Sequence, residues 1–310
     1  MRQGEVAPQG KWEGVLGGVK APEAIVLADP LKRFANTSTR LAALAPGHPM
    51  EDWLRFMSHL ARAQQAAAIT AKSPVPPDRF AVEQAVEARM PPLAADGHRR
   101  DSAWRDGLTA LLDNFDNASA PPQALAVMAE LRASDAATLE RLADAFLHGH
   151  VGASQAGAAL YIAAALQVYF TRMAASLPAS SLRLLERRGL CPCCGSTPSA
   201  GLVTASGQTP GVRYLYCSLC STAWNHVRAV CITCGESRSV ALEGIEGDSD
   251  AVKAETCNEC HTYAKMIYQK QDTKADPFAD DLATLGLDVL VGEAGWSRHA
   301  PNPLLLTGEG

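Results

Sequence analysis

The first 190 residues of this chain contain no cysteine, although the whole chain has nine among its 310 residues. No P-loop, GxSxG, HExxH or GxGxxG pattern stands in a context of strand and helix that would support it. The sequence therefore offers no catalytic residues, and we do not expect an enzyme. A hydrophobic content of 47% and a charged content of 20% allow at least one good core. The length suggests about two domains.

The N-terminal segment lacks the pattern of an export signal. Glu5 and Glu13 interrupt it, and residues 24–28 form only a short apolar run. We therefore expect the protein in the cytoplasm, where disulfide bonds are rare. The net charge of −5 also argues against nucleic acid as a partner, because phosphate contacts require a basic face.

Eight of the nine cysteines form four CxxC pairs, and the last two pairs repeat the first two at an offset of 40 residues. Each half reads CxxC, 22 residues and CxxC again, which indicates one duplicated metal-binding unit. This spacing is typical of sites with four thiolate ligands. The predicted ligands are Cys191, Cys194, Cys217 and Cys220 in the first half and Cys231, Cys234, Cys257 and Cys260 in the second.

The turns within the pairs explain the spacing. Two cysteines separated by two residues direct both sulfur atoms to one ion, while backbone N–H groups donate to them. Gly195 and Gly235 follow a pair directly and supply the positive φ that such a turn favours. Ser221 and His261 stand at the same place in the other pairs, so we expect those turns to bend differently. Four thiolates suit zinc or iron, and the spacing alone leans towards zinc.

Cys193 is the ninth cysteine and has no place in the repeat. It fits a small buried apolar residue, but a substitute ligand or an exposed reactive thiol stays open.

The sequence predicts an α+β fold. Residues 31–186 show helical periodicity and should form a helical bundle after a flexible segment, 1–30, that is rich in glycine and proline. Asp135 is predicted to cap one of these helices. Residues 151–171 carry no formal charge and are long enough to cross a bilayer, but their seven alanines favour a buried core helix. We therefore expect no stable insertion into a membrane.

The cysteine-containing part should form two small β-rich modules in tandem, residues 187–228 and 229–272. Residues 273–310 are predicted to form an acidic amphipathic helix and a tail. In that helix a stripe should pack on the protein body, and it consists of Phe278, Leu282, Leu285 and Val289. Asp280 and Asp281 could bind a basic surface of a partner, cap structure internally or lie on a solvated face.

Five strings of the sequence resemble the FdhE-type formate dehydrogenase accessory proteins. They are CPCCGSTP at 191–198, RYLYCSLCSTAWNHVR at 213–228, CITCG at 231–235, DPFADDLATLGLDVLVGEAGW at 276–296 and NPLLL at 302–306. The resemblance is strong over residues 187–306 and only general over the helical part. It covers His226 and Arg228, which become candidate partner contacts alongside a structural role.

This resemblance implies a cytoplasmic accessory factor that binds the catalytic subunit of a respiratory formate dehydrogenase before export. It also implies two rubredoxin-like modules that bind iron, with zinc as the alternative ion, and it moves the preferred metal from zinc to iron.

Two other functions remain open. One is rubredoxin-like electron transfer, which requires both oxidation states of iron to be stable in the fold. The other is a zinc ribbon that binds nucleic acid. Residues 187–270 contain eight basic and seven acidic residues, and a loaded four-thiolate site adds a charge of about −2, so the loaded modules are acidic.

Overall fold

A computed structural model describes residues 21–206 and 209–305, in which a helical part precedes a mixed sheet. The helices of the first part are α1 (Arg33–Leu44), α2 (Glu51–Thr70), α3 (Arg79–Glu87), α4 (Ala103–Asp113), α5 (Pro122–Ala133), α6 (Ala136–Leu147) and α7 (Ala156–Ala175). The strands are β1 (Ile25–Val26), β2 (Pro198–Val203), β3 (Arg213–Cys217), β4 (Ala223–Asn225), β5 (Val240–Glu243), β6 (Val252–Cys257), β7 (Thr262–Tyr268) and β8 (Ser297–Arg298). Two short helices, α8 (Ala279–Ala283) and α9 (Leu285–Glu293), precede β8. The predicted fold class is confirmed.

Local sequence signals set several helix ends. The Asp135 side chain accepts a hydrogen bond of 2.7 Å from the Thr138 backbone N–H, so the predicted cap of α6 is confirmed. Asp78 caps α3 in the same way, at 3.0 Å from Ala81 N. Pro122 occupies the first turn of α5, where its missing N–H leaves no helical hydrogen bond unmade.

Helix α7 is apolar on nearly all sides and lies in the centre of the helical part. Residues 153–175 are long and apolar enough to cross a membrane by length and composition, yet 78% of their most apolar window is buried inside the protein. Helices α2, α4, α5 and α6 all contact α7. The apolar surface of α7 is therefore covered by protein, as a core helix requires.

The sheet has the strand order β1-β4-β3-β2-β7-β6-β5, with β8 beside β7. Strands β2, β3 and β4 form one antiparallel unit, and β5, β6 and β7 form a second. These two units correspond to the two halves of the 40-residue repeat. Each half therefore folds in the same way, and the halves are joined edge to edge.

The junction between the halves is the parallel pairing of β2 with β7, in which Gly201 lies opposite Met266. A Cβ at Gly201 would lie 2.4 Å from the Met266 sulfur. Glycine therefore allows the Met266 side chain to lie against the β2 backbone. The two predicted modules share one continuous sheet as a result.

The expected flexible segment 1–30 needs a correction in its described part. Residues 1–20 lie outside the described residues, but Ile25 and Val26 form β1 and pair with Trp224 and Ala223 of β4. Ile25 is 8% exposed. Burying its side chain and covering the free edge of β4 fix this short stretch, and neither effect has a local sequence signal.

The predicted C-terminal amphipathic helix is interrupted. Thr284 separates α8 from α9, and the predicted stripe holds only for Phe278 and Leu282, which are buried. Val289 is 52% exposed. The break at Thr284 changes the direction of the chain, so Leu287 replaces Leu285 on the buried face.

Candidate metal centres

The four predicted ligands of the first half come together at the ends of β3 and at the turns beside it. Their sulfur atoms all lie within 4.8 Å of one another. Cys191 Sγ lies 3.5 Å from Cys220 Sγ, and Cys194 Sγ lies 3.4 Å from Cys217 Sγ. A tetrahedral ion with metal–sulfur bonds of about 2.3 Å requires sulfur–sulfur separations of about 3.8 Å. The arrangement fits such an ion with little adjustment.

The second half repeats this geometry. The sulfur atoms of its four cysteines also lie within 4.8 Å of one another. Cys231 Sγ lies 3.6 Å from Cys260 Sγ, and Cys234 Sγ lies 3.7 Å from Cys257 Sγ. Both groups therefore offer the donor set that zinc and iron accept, and the sulfur geometry does not distinguish the two metals.

All four CxxC turns use the same backbone conformation. The residue after the second cysteine has a φ of 78° at Gly195, 80° at Gly235, 59° at Ser221 and 53° at His261. The prediction that the serine and histidine turns bend differently was therefore wrong. The metal-binding turn imposes the left-handed conformation even where a side chain makes it cost about 1 kcal/mol.

Backbone N–H groups point at the sulfur atoms, as the turn geometry predicts. The N–H groups of Leu219 and Cys220 donate to Cys217 Sγ at 3.4 and 3.3 Å. The N–H of Thr233 donates to Cys231 Sγ at 3.4 Å. These hydrogen bonds stabilise thiolates, which are the form that binds metal.

Burial makes a cation necessary in the first group. Its four cysteines are at most 1% exposed, and burial raises the pKa of the Cys191 and Cys217 thiols well above the usual range. Four buried thiolates are therefore stable only around a cation that offsets their charge.

The helical part encloses the first centre. The N–H groups of Leu93 and Ala95 donate to the carbonyls of Cys193 and Cys194 at 2.8 and 2.9 Å. On the other side, Gln167 of α7 donates to the Ser218 carbonyl at 2.8 Å. The cysteines of this centre belong to the main hydrophobic core, which also contains residues of α1, α2, α4 and α7.

The second centre lies closer to solvent. Cys234 is exposed and Cys260 is half-buried, whereas Cys231 and Cys257 are buried. A cavity of about 680 Å³ is lined by Cys231 and Cys234, by the segment 186–190 and by His299. This difference in exposure separates two sites that the sequence makes equivalent.

Cys193 is fully buried at the first centre and lies outside the group of four whose sulfur atoms could hold the ion. Its backbone connects the first CxxC turn to the helical part through Leu93. This placement agrees with a small buried residue and excludes the exposed reactive thiol.

The two partner candidates between the centres have different positions. Arg228 is exposed in the loop that precedes the second centre. His226 is 5% exposed and accepts a hydrogen bond from Arg213 Nη2 at Nδ1, over 2.6 Å. A guanidinium can only donate, so the ring proton lies on Nε2. Burial and the charge of Arg213 lower the pKa of His226 to about 4. His226 therefore supports the fold instead of facing a partner.

Asp280 and Asp281 are also internal, so a role for them in direct partner contact is corrected by their burial. Asp280 is 4% exposed and accepts hydrogen bonds from the Arg40 side chain at 2.9 and 2.6 Å. Asp281 is fully buried and pairs with Arg298 and Lys265. Burial opposes ionisation of Asp281, but these two cations outweigh it and lower its pKa. Both carboxylates hold the C-terminal segment against the protein body.

Arg213 is the important residue that the sequence interpretation missed. It is 2% exposed on β3 and forms an ion pair of 2.5 Å with Glu255 of β6, in the other half of the repeat. Its Nη2 also donates to the backbone carbonyls of Val227 and Val230. A signal was present, because Arg213 is the only Lys, Arg, Asp or Glu between Gly189 and Val227. An isolated charge in such a run requires an internal partner.

Comparison with known families gives three consecutive matches along the chain. The model described as "FdhE, N-terminal" matches residues 22–186. The model described as "FdhE, central domain" matches residues 190–228, and "FdhE, C-terminal domain" matches residues 229–305. The matches thus include the helical part and both cysteine groups.

Individual relatives show the same likeness over nearly the whole chain. A protein FdhE homolog from Stutzerimonas stutzeri is 38% identical over 90% of this chain and 91% of its own length. One from Edwardsiella ictaluri is 39% identical over 94% of both chains. The crystal structure of the FdhE protein from Pseudomonas aeruginosa is 36% identical, with a TM-score of 0.83 over 92% of this chain and 100% of the other.

Proposed function

The chain belongs to the FdhE family, and on that basis we propose that it is a cytoplasmic accessory factor for a formate dehydrogenase. It binds the catalytic subunit before export and supports its activation, and it performs no catalytic step itself. The observation that carries this proposal is the extent of the family match, which includes the helical part and all eight paired cysteines.

The two metal centres have different roles in this proposal. The first centre is enclosed by the helical part and stabilises the junction between helices and sheet. The second centre has an exposed ligand, Cys234, and lies beside a cavity and the exposed Arg228. A surface that contacts a partner and responds to metal or redox state therefore includes the second centre and not the first.

Iron is the proposed ion in both centres, with zinc as the alternative. Elemental analysis of protein purified anaerobically tests this, with two equivalents of iron as the expected result. Two equivalents of zinc would exclude rubredoxin-like electron transfer, because zinc has no redox chemistry. The partly exposed second centre favours that alternative function over a purely structural one, since electron exchange requires an accessible edge.

Copurification tests the proposed partner. Tagged protein is purified anaerobically from its own cytosol and treated with nuclease, and the coeluting proteins are identified by mass spectrometry. We expect a formate dehydrogenase catalytic subunit with the unmodified protein. The Cys231→Ser variant should lose both the second metal ion and the subunit, because three thiolates cannot close a structural site.

Cys193→Ala is the matched control, since it removes a thiol of the first half that lies outside both four-cysteine groups. This variant should retain two metal ions and the subunit. Recovery of nucleic-acid-associated proteins alone, with loss of these after nuclease, would instead support the zinc-ribbon function. Full binding and activation by Cys231→Ser would remove the second centre from the mechanism.

A further inference from the structure

The helical part contains a groove far from the partner candidates discussed so far. It has a volume of about 800 Å³ and is open to solvent between α2 and α5, with α7 as its floor. Residues Gly157, Leu160 and Tyr161 of α7 line it. The contact of α7 with the first metal centre is made by Gln167, which lies about 9 Å further along the helix axis. The groove is therefore separate from both cysteine groups.

Aromatic side chains give the groove a fixed apolar wall. Trp53 stacks on Phe56 with ring centroids 5.9 Å apart, and both line the groove. Phe56 contacts Phe115 at 5.4 Å, and Phe115 contacts Tyr161 edge to face at 6.3 Å. A row of interlocked rings does not collapse to fill the space, so the groove is preformed. Its volume is in the range of protein pockets that take a ligand or an anchoring side chain.

Two polar atoms in this wall lack a partner. Among the described residues, Trp53 Nε1 and Tyr161 Oη are buried atoms without any hydrogen-bond partner. Tyr161 is 1% exposed, and burial raises the pKa of its hydroxyl to about 12, so the group is a neutral donor. A buried donor without an acceptor costs about 1–3 kcal/mol. Two such donors in one apolar wall indicate a ligand that brings acceptors.

The rim of the groove adds a charge preference. Arg55 pairs with Glu51 at 2.5 Å, and Arg62 and His59 lie near Asp116 at 3.6 and 3.7 Å. Asp52 also lines the groove and is exposed, but it forms no ion pair with any described residue. The rim therefore has one uncompensated negative charge, which favours a positively charged group in the ligand.

We propose that this groove binds a peptide segment of the protein's partner that inserts a bulky apolar side chain beside a basic residue. Its main-chain carbonyl oxygens accept hydrogen bonds from Trp53 and Tyr161, and its basic residue faces Asp52. The inference rests on the proposed function, because it assigns the helical part a share of the contact with the dehydrogenase subunit. A peptide segment fits better than a small molecule, since the groove is open along its length and its unmatched groups are donors.

Tyr161→Phe is the informative variant, because it removes one unpartnered hydroxyl and changes little else. Its melting temperature should stay the same or rise, since a buried donor without an acceptor is lost. Its dissociation constant for the purified catalytic subunit of the formate dehydrogenase should rise roughly threefold to tenfold. Ala124→Trp fills the groove from a half-buried position on α5 and should abolish binding while the protein stays folded.

Tyr169→Phe is the matched control on the same helix. The Tyr169 hydroxyl accepts a hydrogen bond of 3.3 Å from Asp101 N, so its removal should lower the melting temperature and leave the affinity unchanged. If the unmodified protein binds the subunit and both groove variants bind it equally well, this inference is wrong while the proposed function stands. If the unmodified protein does not bind the subunit, the proposed function itself fails.

Discussion

A single guanidinium connects the two halves of the repeat. Arg213 lies on β3 in the first half, Glu255 lies on β6 in the second, and Val230 immediately precedes the first ligand of the second centre. The ion pair is buried, with the two side chains 1% and 9% exposed. Such a pair is costly to break, because removing one partner leaves the other charge buried and alone.

We expect Arg213→Met to lower the free energy of unfolding by about 3–5 kcal/mol, measured by urea denaturation of the metal-loaded protein. The cause is the unpaired carboxylate of Glu255 together with carbonyls that lose their donor. The double variant Arg213→Met with Glu255→Met should recover part of the loss, since it buries no lone charge. A single variant as stable as the unmodified protein would show that the pair is not structural.

The secondary-structure elements differ in how far the sequence could predict them. Helix α6 has a local signal at each step, from the Asp135 cap to the buried Leu139 and Ala143. Strand β1 and the pairing of β2 with β7 have none, because they depend on edges that meet across distant parts of the chain. The same holds for the buried Asp281, whose cationic partners come from β7 and β8. Sequence periodicity reports burial of apolar residues and cannot show which buried charge finds which partner.

One such nonlocal contact lies between the linker after the helical part and the second centre. A Cβ at Gly189 would lie 2.2 Å from the backbone oxygen of Ile232, within the first CxxC turn of that centre. A backbone atom in a metal-binding turn cannot shift to make room. We expect Gly189→Ala to lower the free energy of unfolding by about 1–3 kcal/mol and to weaken metal retention at the second centre. Urea denaturation and metal analysis after dialysis measure the two effects.

Gly286→Ala is the control for that substitution. Gly286 lies within α9, and a Cβ there would meet nothing within 4 Å. Alanine in a helix is favoured over glycine by about 1 kcal/mol, so this variant should be equally or more stable and keep both metal ions. If Gly189→Ala behaved in the same way, the contact with Ile232 would not position the second centre.

At the scale of the whole molecule, the two halves of one repeat have acquired different surroundings. The first centre shares the main core with α1, α2, α4 and α7, so its loss must loosen the contact between helices and sheet. The second centre lies outside that arrangement, with Cys234 exposed and Cys260 half-buried. Stability is therefore distributed unevenly along the chain, and the second half should open locally at lower cost than the first.

This asymmetry predicts that a chelator removes metal in two phases of one equivalent each. The fast phase belongs to the second centre, and a rate difference of roughly tenfold or more corresponds to about 1.4 kcal/mol in the free energy of local opening. Circular dichroism should show little change in helical signal during the fast phase and a loss of cooperativity in thermal unfolding after the slow one. Cys231→Ser should lack the fast phase. Cys191→Ser should lack the slow phase and also unfold at a lower temperature. Equal release rates from both centres would mean that enclosure by the helical part does not protect the first ion.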